Sequence, residues 1–356
     1  MKKLNVAIIG QGRSGRNIHG KFFNSDRNKL YNLVAIVDID AQRREIAKDE
    51  YRNCVAYENY TQLFERDDID LVVNASMSKD HYAITKDLLE HKFNVLTEKP
   101  FARNRYECDN LIKIAKDNNV KLGVFHQSLF APVYTEAKKA YESGKLGKIK
   151  QIDITYNGFA RRWDWQTSQA QMGGSIYNTG PHPIGYGLGF LNFDPDFKVV
   201  YSSLDNVITS GDADDYAKIL ITAPNKPLVD IEVTSIDAYA APVFKILGSK
   251  GTYKSTFKEW EMKYIVDGEN PEQNLILEPL KDENGLPAYC SENLITHEEK
   301  GEINGSAFDV GTKLFYEMMY NAIVNNMEME IKPEHAAMVI SVIEQAHAEN
   351  PLPVKF

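Results

Sequence analysis

The chain carries Gly10-Gln11-Gly12-Arg13-Ser14-Gly15 directly after the unbroken apolar run Leu4–Ile9. An apolar run of that length without alternation suits a strand buried on both faces of a parallel sheet. The glycines that follow have separate tasks. Gly10 permits a tight turn, Gly12 lets the backbone approach a pyrophosphate, and Gly15 lets the next helix pack closely on the strand. The helix start then offers unpaired N–H groups and the positive end of its dipole to phosphates. Strand, turn and helix in this order predict a dinucleotide-binding site.

The same alternation continues. Apolar runs recur at Leu33–Val37, Cys54–Tyr57, Leu71–Ala75, Phe93–Thr97 and Leu122–Phe125, with helical stretches between them. In Asn104–Asp117, residues Cys108, Leu111, Ile112 and Ala115 fall on one helical face, which makes Cys108 a core residue. Strand and helix in turn, to about residue 125, predict a doubly wound parallel sheet. After Ala131-Pro132 the pattern changes to period two: Ile152, Ile154 and Tyr156; Ala217, Ile219 and Ile221; Val229, Ile231 and Val233. Strands of that kind suit a large, mostly antiparallel sheet with one covered face. Helices are expected at Asp309–Asn325 and Pro333–Ala348. At about 150 residues per domain, 356 residues divide into two units, 1–127 and 128–356.

Composition narrows the function. Lys+Arg 41 against Asp+Glu 50 gives a formal charge of −9, so no bulk attraction draws the chain to nucleic acid or anionic lipid. No run reaches the length of a membrane span. The apolar stretch after Met1-Lys2-Lys3 ends at Ile9, too short for a signal peptide. Three cysteines without CxxC or metal spacing suit a reducing compartment, and the expectation is a cytoplasmic protein with no metal.

Asp38 ends the second apolar run, 23 residues after Gly15. A carboxylate there accepts the ribose hydroxyls of NAD and repels the 2′-phosphate of NADP, so NAD is the expected cofactor. Arg43 and Arg44, one turn on, could flank the adenine, hold a phosphate or face solvent.

Glu98-Lys99-Pro100 follows the fifth strand, and with Asp80-His81 and the glycine fingerprint it resembles the glucose–fructose oxidoreductase / inositol dehydrogenase / rhizopine catabolism (Gfo/Idh/MocA) family. Gly173-Gly174-Ser175-Ile176-Tyr177-Asn178-Thr179-Gly180-Pro181-His182 resembles that family's second signature, GG-x₃-D-x-G-x-H, and Gly248-Ser249-Lys250-Gly251 is a softer echo. The resemblance implies an N-terminal Rossmann domain, a C-terminal α/β domain with a large open sheet, and homo-oligomers (dimers or tetramers) formed through that sheet. It also implies hydride transfer between nicotinamide and a ring hydroxyl carbon of a sugar, glycoside or cyclitol.

Oxidising a secondary alcohol requires a hydride acceptor and a base for the hydroxyl proton. By resemblance, Lys99 and His182 are the proton-handling pair, with His182 the base and Lys99 polarising the substrate oxygen. Glu98 orients Lys99 or touches the nicotinamide ribose, and His81 reaches that ribose. Ala75, Ser76 and Gln127 line the cofactor cleft beside Gly10, Gln11, Gly12, Arg13, Ser14, Gly15, Asp38 and Arg43. Asn178 stands with the catalytic pair and Lys99 also lines the cofactor cleft; Arg162, Trp165, Tyr177 and Asn178 are the further substrate candidates, although Trp165 could equally anchor its loop and Tyr177 could equally be packing. Two departures stand out. Asn178 replaces the family's aspartate, so it cannot stabilise a protonated partner by charge. His126-Gln127-Ser128-Leu129 also lacks an arginine that relatives often carry. The resemblance also leaves open an NAD-retaining glycosidase or lyase that oxidises its substrate transiently, and the two departures keep open a catalytically weak NAD- or sugar-sensing protein.

Overall fold

The computed structural model describes residues 2–239 and 241–356. Six strands form the first sheet: β1 (Leu4–Ile9), β2 (Tyr31–Val37), β3 (Val55–Tyr57), β4 (Leu71–Asn74), β5 (Val95–Thr97) and β6 (Leu122–Val124). All pair in parallel, in the order β3-β2-β1-β4-β5-β6. This is the doubly wound order, whose direction reverses beside β1 and so opens a crevice at the carboxyl ends of β1 and β4. β2 starts two residues earlier than its apolar run, because Tyr31 pairs with Leu4 and is itself buried.

The first helix runs over residues 15–23, with a wide π-type turn at Gly15–Gly20 continuing into α1 (Lys21–Phe23). The Asp40 side chain caps α2 (Ala41–Glu50) by accepting the Gln42 and Arg43 N–H groups. α3 (His81–Glu90) follows β4. In α4 (Arg105–Asp117), capped by Asn104, the stripe Cys108, Leu111 and Ala115 is buried as the spacing predicts.

After α5 (Pro132–Glu142) comes the second sheet: β7 (Ile149–Asn157), β8 (Lys198–Asp205), β9 (Tyr216–Thr222), β10 (Leu228–Thr234), β11 (Phe244–Gly248), β12 (Gly251–Ser255), β13 (Glu259–Tyr264) and, after the hairpin of β14 (Leu280–Lys281) and β15 (Pro287–Ala288), β16 (His297–Glu302). Its order is β16-β13-β12-β11-β7-β10-β9-β8. The sheet is mostly antiparallel, but β7 and β10 at its centre run parallel. Period-two burial reports one covered face and suits an antiparallel sheet, but it does not single out which pair runs parallel.

Between β7 and β8 lie α6 (Ser175–Asn178) and α7 (Pro181–Phe190); apart from His182, every residue of α7 is buried. The helix packs on β7, β10 and α9 (Pro333–Glu349). α8 (Thr312–Val324) covers the first sheet instead. Its Tyr316 ring stacks on Phe22 at 4.8 Å, its backbone carbonyl accepts the Tyr31 hydroxyl at 2.8 Å, and the Tyr320 hydroxyl donates to the Lys2 carbonyl. Among the described residues no helix is long and apolar enough to cross a membrane.

Candidate functional site

The glycine turn closes β1 as the motif requires. Gly10 has a φ of +88°, and a Cβ there would lie 2.3 Å from the Ala75 carbonyl oxygen. A Cβ on Gly15 would lie 1.8 Å from the Gly10 carbonyl oxygen, so helix and strand meet at backbone distance. A Cβ on Gly12, by contrast, would meet nothing within 4 Å. The open space lies where a pyrophosphate would rest on the turn. Ser14 precedes the helix without capping it, and Arg13 is exposed.

Along the carboxyl edge of the sheet four buried polar atoms have no partner: Gln11 Oε1, Ser76 Oγ, Thr97 Oγ1 and Gln127 Oε1. Buried polar groups are normally hydrogen-bonded, and these four at neighbouring strand ends suit the polar groups of a dinucleotide. The crevice therefore fits a dinucleotide. Asp38 is buried at the end of β2; its oxygens accept the Gln11 N–H at 2.7 Å and the Asp40 N–H at 2.8 Å. The carboxylate keeps further lone pairs for ribose hydroxyls. The Arg43 guanidinium lies 3.7 Å from Asp38, and Arg44 donates to the carbonyls of Asp38 and Ile39.

Lys99 and His182 reach the same place from the two halves of the chain. The Lys99 amine donates to the Asn178 backbone carbonyl at 2.6 Å, four residues before His182. Burial pushes the Lys99 pKa down; Glu98 opposes that shift and Arg13 adds to it. Burial, then the charge of Lys99, holds His182 well below its ordinary value, so its imidazole is neutral at physiological pH. Its Nδ1 lies 2.9 Å from Ser128 Oγ. With the proton on Nδ1 donated to Ser128, Nε2 keeps a free lone pair. His126 is pushed down to about 4 by burial and by Lys99.

Several expected residues do something else. His81 does not turn toward a ribose: it is fully buried, with Nδ1 2.7 Å from the Pro100 carbonyl and Nε2 3.3 Å from the Ser76 carbonyl. Burial keeps it neutral, so its single N–H ties α3 to the Glu98-Lys99-Pro100 turn. Tyr177 belongs to the packing: its hydroxyl donates to the Arg103 carbonyl at 2.6 Å, and its ring stacks on His347. The Asn178 side chain pairs with Gln166 rather than with Lys99 or His182. Position 178 meets the lysine through its carbonyl, which any residue would supply. Arg162 lines a cavity of about 60 Å³ with Gln166, Asn178, Thr179 and Asp214. Its guanidinium is held by Asp164 and Gln166. Trp165 is absent from that lining and 43% exposed.

Other residues carry the site without a local signature. Ser128 orients His182 and stands in the segment that lacks the arginine. His19 holds Glu98 and is itself held by Tyr316. Asp214 accepts the Ile176 N–H at 2.8 Å and so fixes the start of the segment that delivers His182; burial pushes its carboxyl up to about 7. Spacing in the sequence gives no access to such partners.

A Rossmann sheet with a glycine turn, joined to a lobe that brings an imidazole to the cofactor crevice, defines a nicotinamide-dependent class of oxidoreductase. Residues 4–126 match the model of an oxidoreductase family with an NAD-binding Rossmann fold, and residues 134–254 match the GFO/IDH/MocA C-terminal domain. The chain belongs to the Gfo/Idh/MocA family of NAD-binding oxidoreductases. It is 22% identical to an uncharacterized oxidoreductase of Schizosaccharomyces pombe over 98% of this chain and 97% of that one. It is 24% identical to scyllo-inositol 2-dehydrogenase (NADP(+)) IolW of Bacillus subtilis, over 51% of this chain and 50% of that one. The crystal structure of GenD2 from gentamicin A biosynthesis in complex with NAD superposes with a TM-score of 0.76 at 17% identity, covering 98% of this chain and 94% of that one.

Proposed function

We propose that this chain transfers a hydride between a ring CH–OH carbon of a sugar, glycoside or cyclitol and NAD, with Lys99 and His182 handling the hydroxyl proton. The observation that carries this reading is the meeting of the Lys99 amine and the His182 segment at the mouth of the glycine-turn crevice. Bound there, a nicotinamide supplies the two-electron acceptor for the hydride that leaves carbon. His182 Nε2 accepts the hydroxyl proton, and Ser128 holds the ring so that this lone pair stays available. The Lys99 amine donates to the substrate oxygen and stabilises the negative charge that grows on it as the proton leaves. The polar cavity of Arg162, Gln166, Asn178 and Thr179 receives neighbouring hydroxyls. A panel of cyclitols, hexoses and glycosides, assayed for NADH and for product, tests this. NADH formed with a ring alcohol is the expected result. Cleaved glycoside without NADH supports transient oxidation instead. Binding of both ligands with no chemistry makes the chain a sensor.

Asp38 supports NAD over NADP in this reading. Asp38→Asn removes the charge that repels a 2′-phosphate and one of the two acceptors its loop uses. The ratio of kcat/KM for NAD to that for NADP is expected to fall by about ten-fold, the effect of roughly one charge contact. An unchanged ratio would remove Asp38 from cofactor selection.

A further inference from the structure

Two buried side chains that the proposed chemistry leaves unused lie behind the turn that carries Lys99: His19 reaches Glu98, and Tyr316 reaches His19. His19, in the helix after the glycine turn, is fully buried with Nδ1 2.7 Å from the Tyr316 hydroxyl and Nε2 3.0 Å from Glu98 Oε1. The other Glu98 oxygen accepts the Lys99 backbone N–H at 3.1 Å. Nε2 faces a carboxylate oxygen and so donates to Glu98, while Nδ1 meets the Tyr316 hydroxyl. The bonds link Tyr316 through His19 to the carboxylate. None of these side chains is among the buried groups left without a partner. Tyr316 has little freedom, since its ring stacks on Phe22 and meets Phe23 edge-on at 4.7 Å.

We propose that Tyr316 and His19 are positioning residues for Lys99: by holding Glu98 as an ordered carboxylate behind the Glu98-Lys99-Pro100 turn, they make the amine's reactivity depend on the docking of α8. Burial alone pushes the Glu98 carboxyl up; the His19 hydrogen bond and the neighbouring charges hold it below its ordinary value. The ionisable groups around the Lys99 amine are Glu98 on its own turn, Arg13 from the glycine turn, His81 from α3, His126 after β6 and His182 from α7. Glu98 raises the amine's pKa, while burial and Arg13 lower it. Taking the donor away from Glu98 leaves a buried acid that takes up a proton, and its charge is lost. Burial and Arg13 then act unopposed, so the amine loses its proton at lower pH.

The proposal rests on Lys99 being the proton-handling amine, and its test reads that amine directly, without turnover. Competitive acylation of the full-length protein across pH, read by mass spectrometry of the Lys99 peptide, gives the midpoint of amine reactivity. In His19→Leu the midpoint is expected to fall by about one pH unit, the size of losing one close charge. In Tyr316→Phe, which removes one hydroxyl and serves if His19→Leu does not fold, a smaller fall in the same direction is expected. His19→Gln, which keeps a donor for Glu98, is expected to return the midpoint to the wild-type value. An unshifted or raised midpoint in folded His19→Leu or Tyr316→Phe overturns the proposal. So does a His19→Gln midpoint as low as that of His19→Leu. A wild-type protein that oxidises no ring alcohol while these shifts appear would sink the hydride-transfer reading and leave the network standing.

Discussion

Replacing Lys99 with alanine is expected to lower kcat/KM by about a thousand-fold while NAD affinity changes by less than about three-fold. The reason lies in where the amine sits. It is attached at the end of β5 and donates at 2.6 Å to the carbonyl of Asn178, on the segment that also delivers His182. An alanine leaves the turn, the glycine loop and Asp38 in place, so the dinucleotide keeps its contacts. What disappears is the donor that the proposed reaction sets on the substrate oxygen, in a crevice where burial has already lowered the amine's pKa. Lys99→Arg is expected to rescue little, because a guanidinium stays protonated and its planar fork cannot take the place of a compact amine. Steady-state kinetics beside a fluorescence titration with NAD separates the two effects. Turnover within ten-fold of wild type in Lys99→Ala would remove the lysine from the chemistry.

The second large effect separates two glycines of one motif. Gly12→Ala adds a methyl that meets nothing within 4 Å, so the free protein keeps its stability. The same methyl occupies the open face on which the pyrophosphate would rest, and NAD affinity is expected to fall about thirty-fold, roughly 2 kcal/mol. Gly15→Ala places its methyl 1.8 Å from the Gly10 carbonyl oxygen, and the backbone must move. That variant is expected to lose about 2 kcal/mol of stability or more, and NAD binding with it. Denaturant unfolding with and without NAD measures both quantities. Equal stability losses at the two positions, or undiminished affinity in Gly12→Ala, would mean that the cofactor does not lie on this turn.

Much of the first sheet was legible because its cause is local. A strand buried on both faces needs an unbroken apolar run, and Leu4–Ile9 is one; a helix with one buried face repeats at i, i+3, i+4, and Cys108, Leu111 and Ala115 do. The second sheet was legible as half-buried, mostly antiparallel strands, but its one parallel pair was not, since β7 and β10 alternate identically whether paired parallel or antiparallel. Side-chain roles were the least accessible. His81 has the position expected of a cofactor contact, yet its ring nitrogens face the carbonyls of Pro100 and Ser76. Tyr177 stands beside Asn178 in the motif, but the backbone turns its ring onto His347 and its hydroxyl onto Arg103.

The amino-acid order alone determined the alternating architecture and the place of the glycine turn, because periodicity and backbone permissiveness act between near neighbours; Lys99 and His182 became candidates through the resemblance of their two motifs to the family's. Tertiary structure decided what surrounds those two groups. Ser128 on His182, the Asn178 carbonyl on Lys99 and the path from Tyr316 through His19 to Glu98 join residues far apart in the chain. Hydrogen bonds and burial depend on distance in space, and only the packing of α7 and α8 against the two sheets brings those atoms within 3 Å of one another.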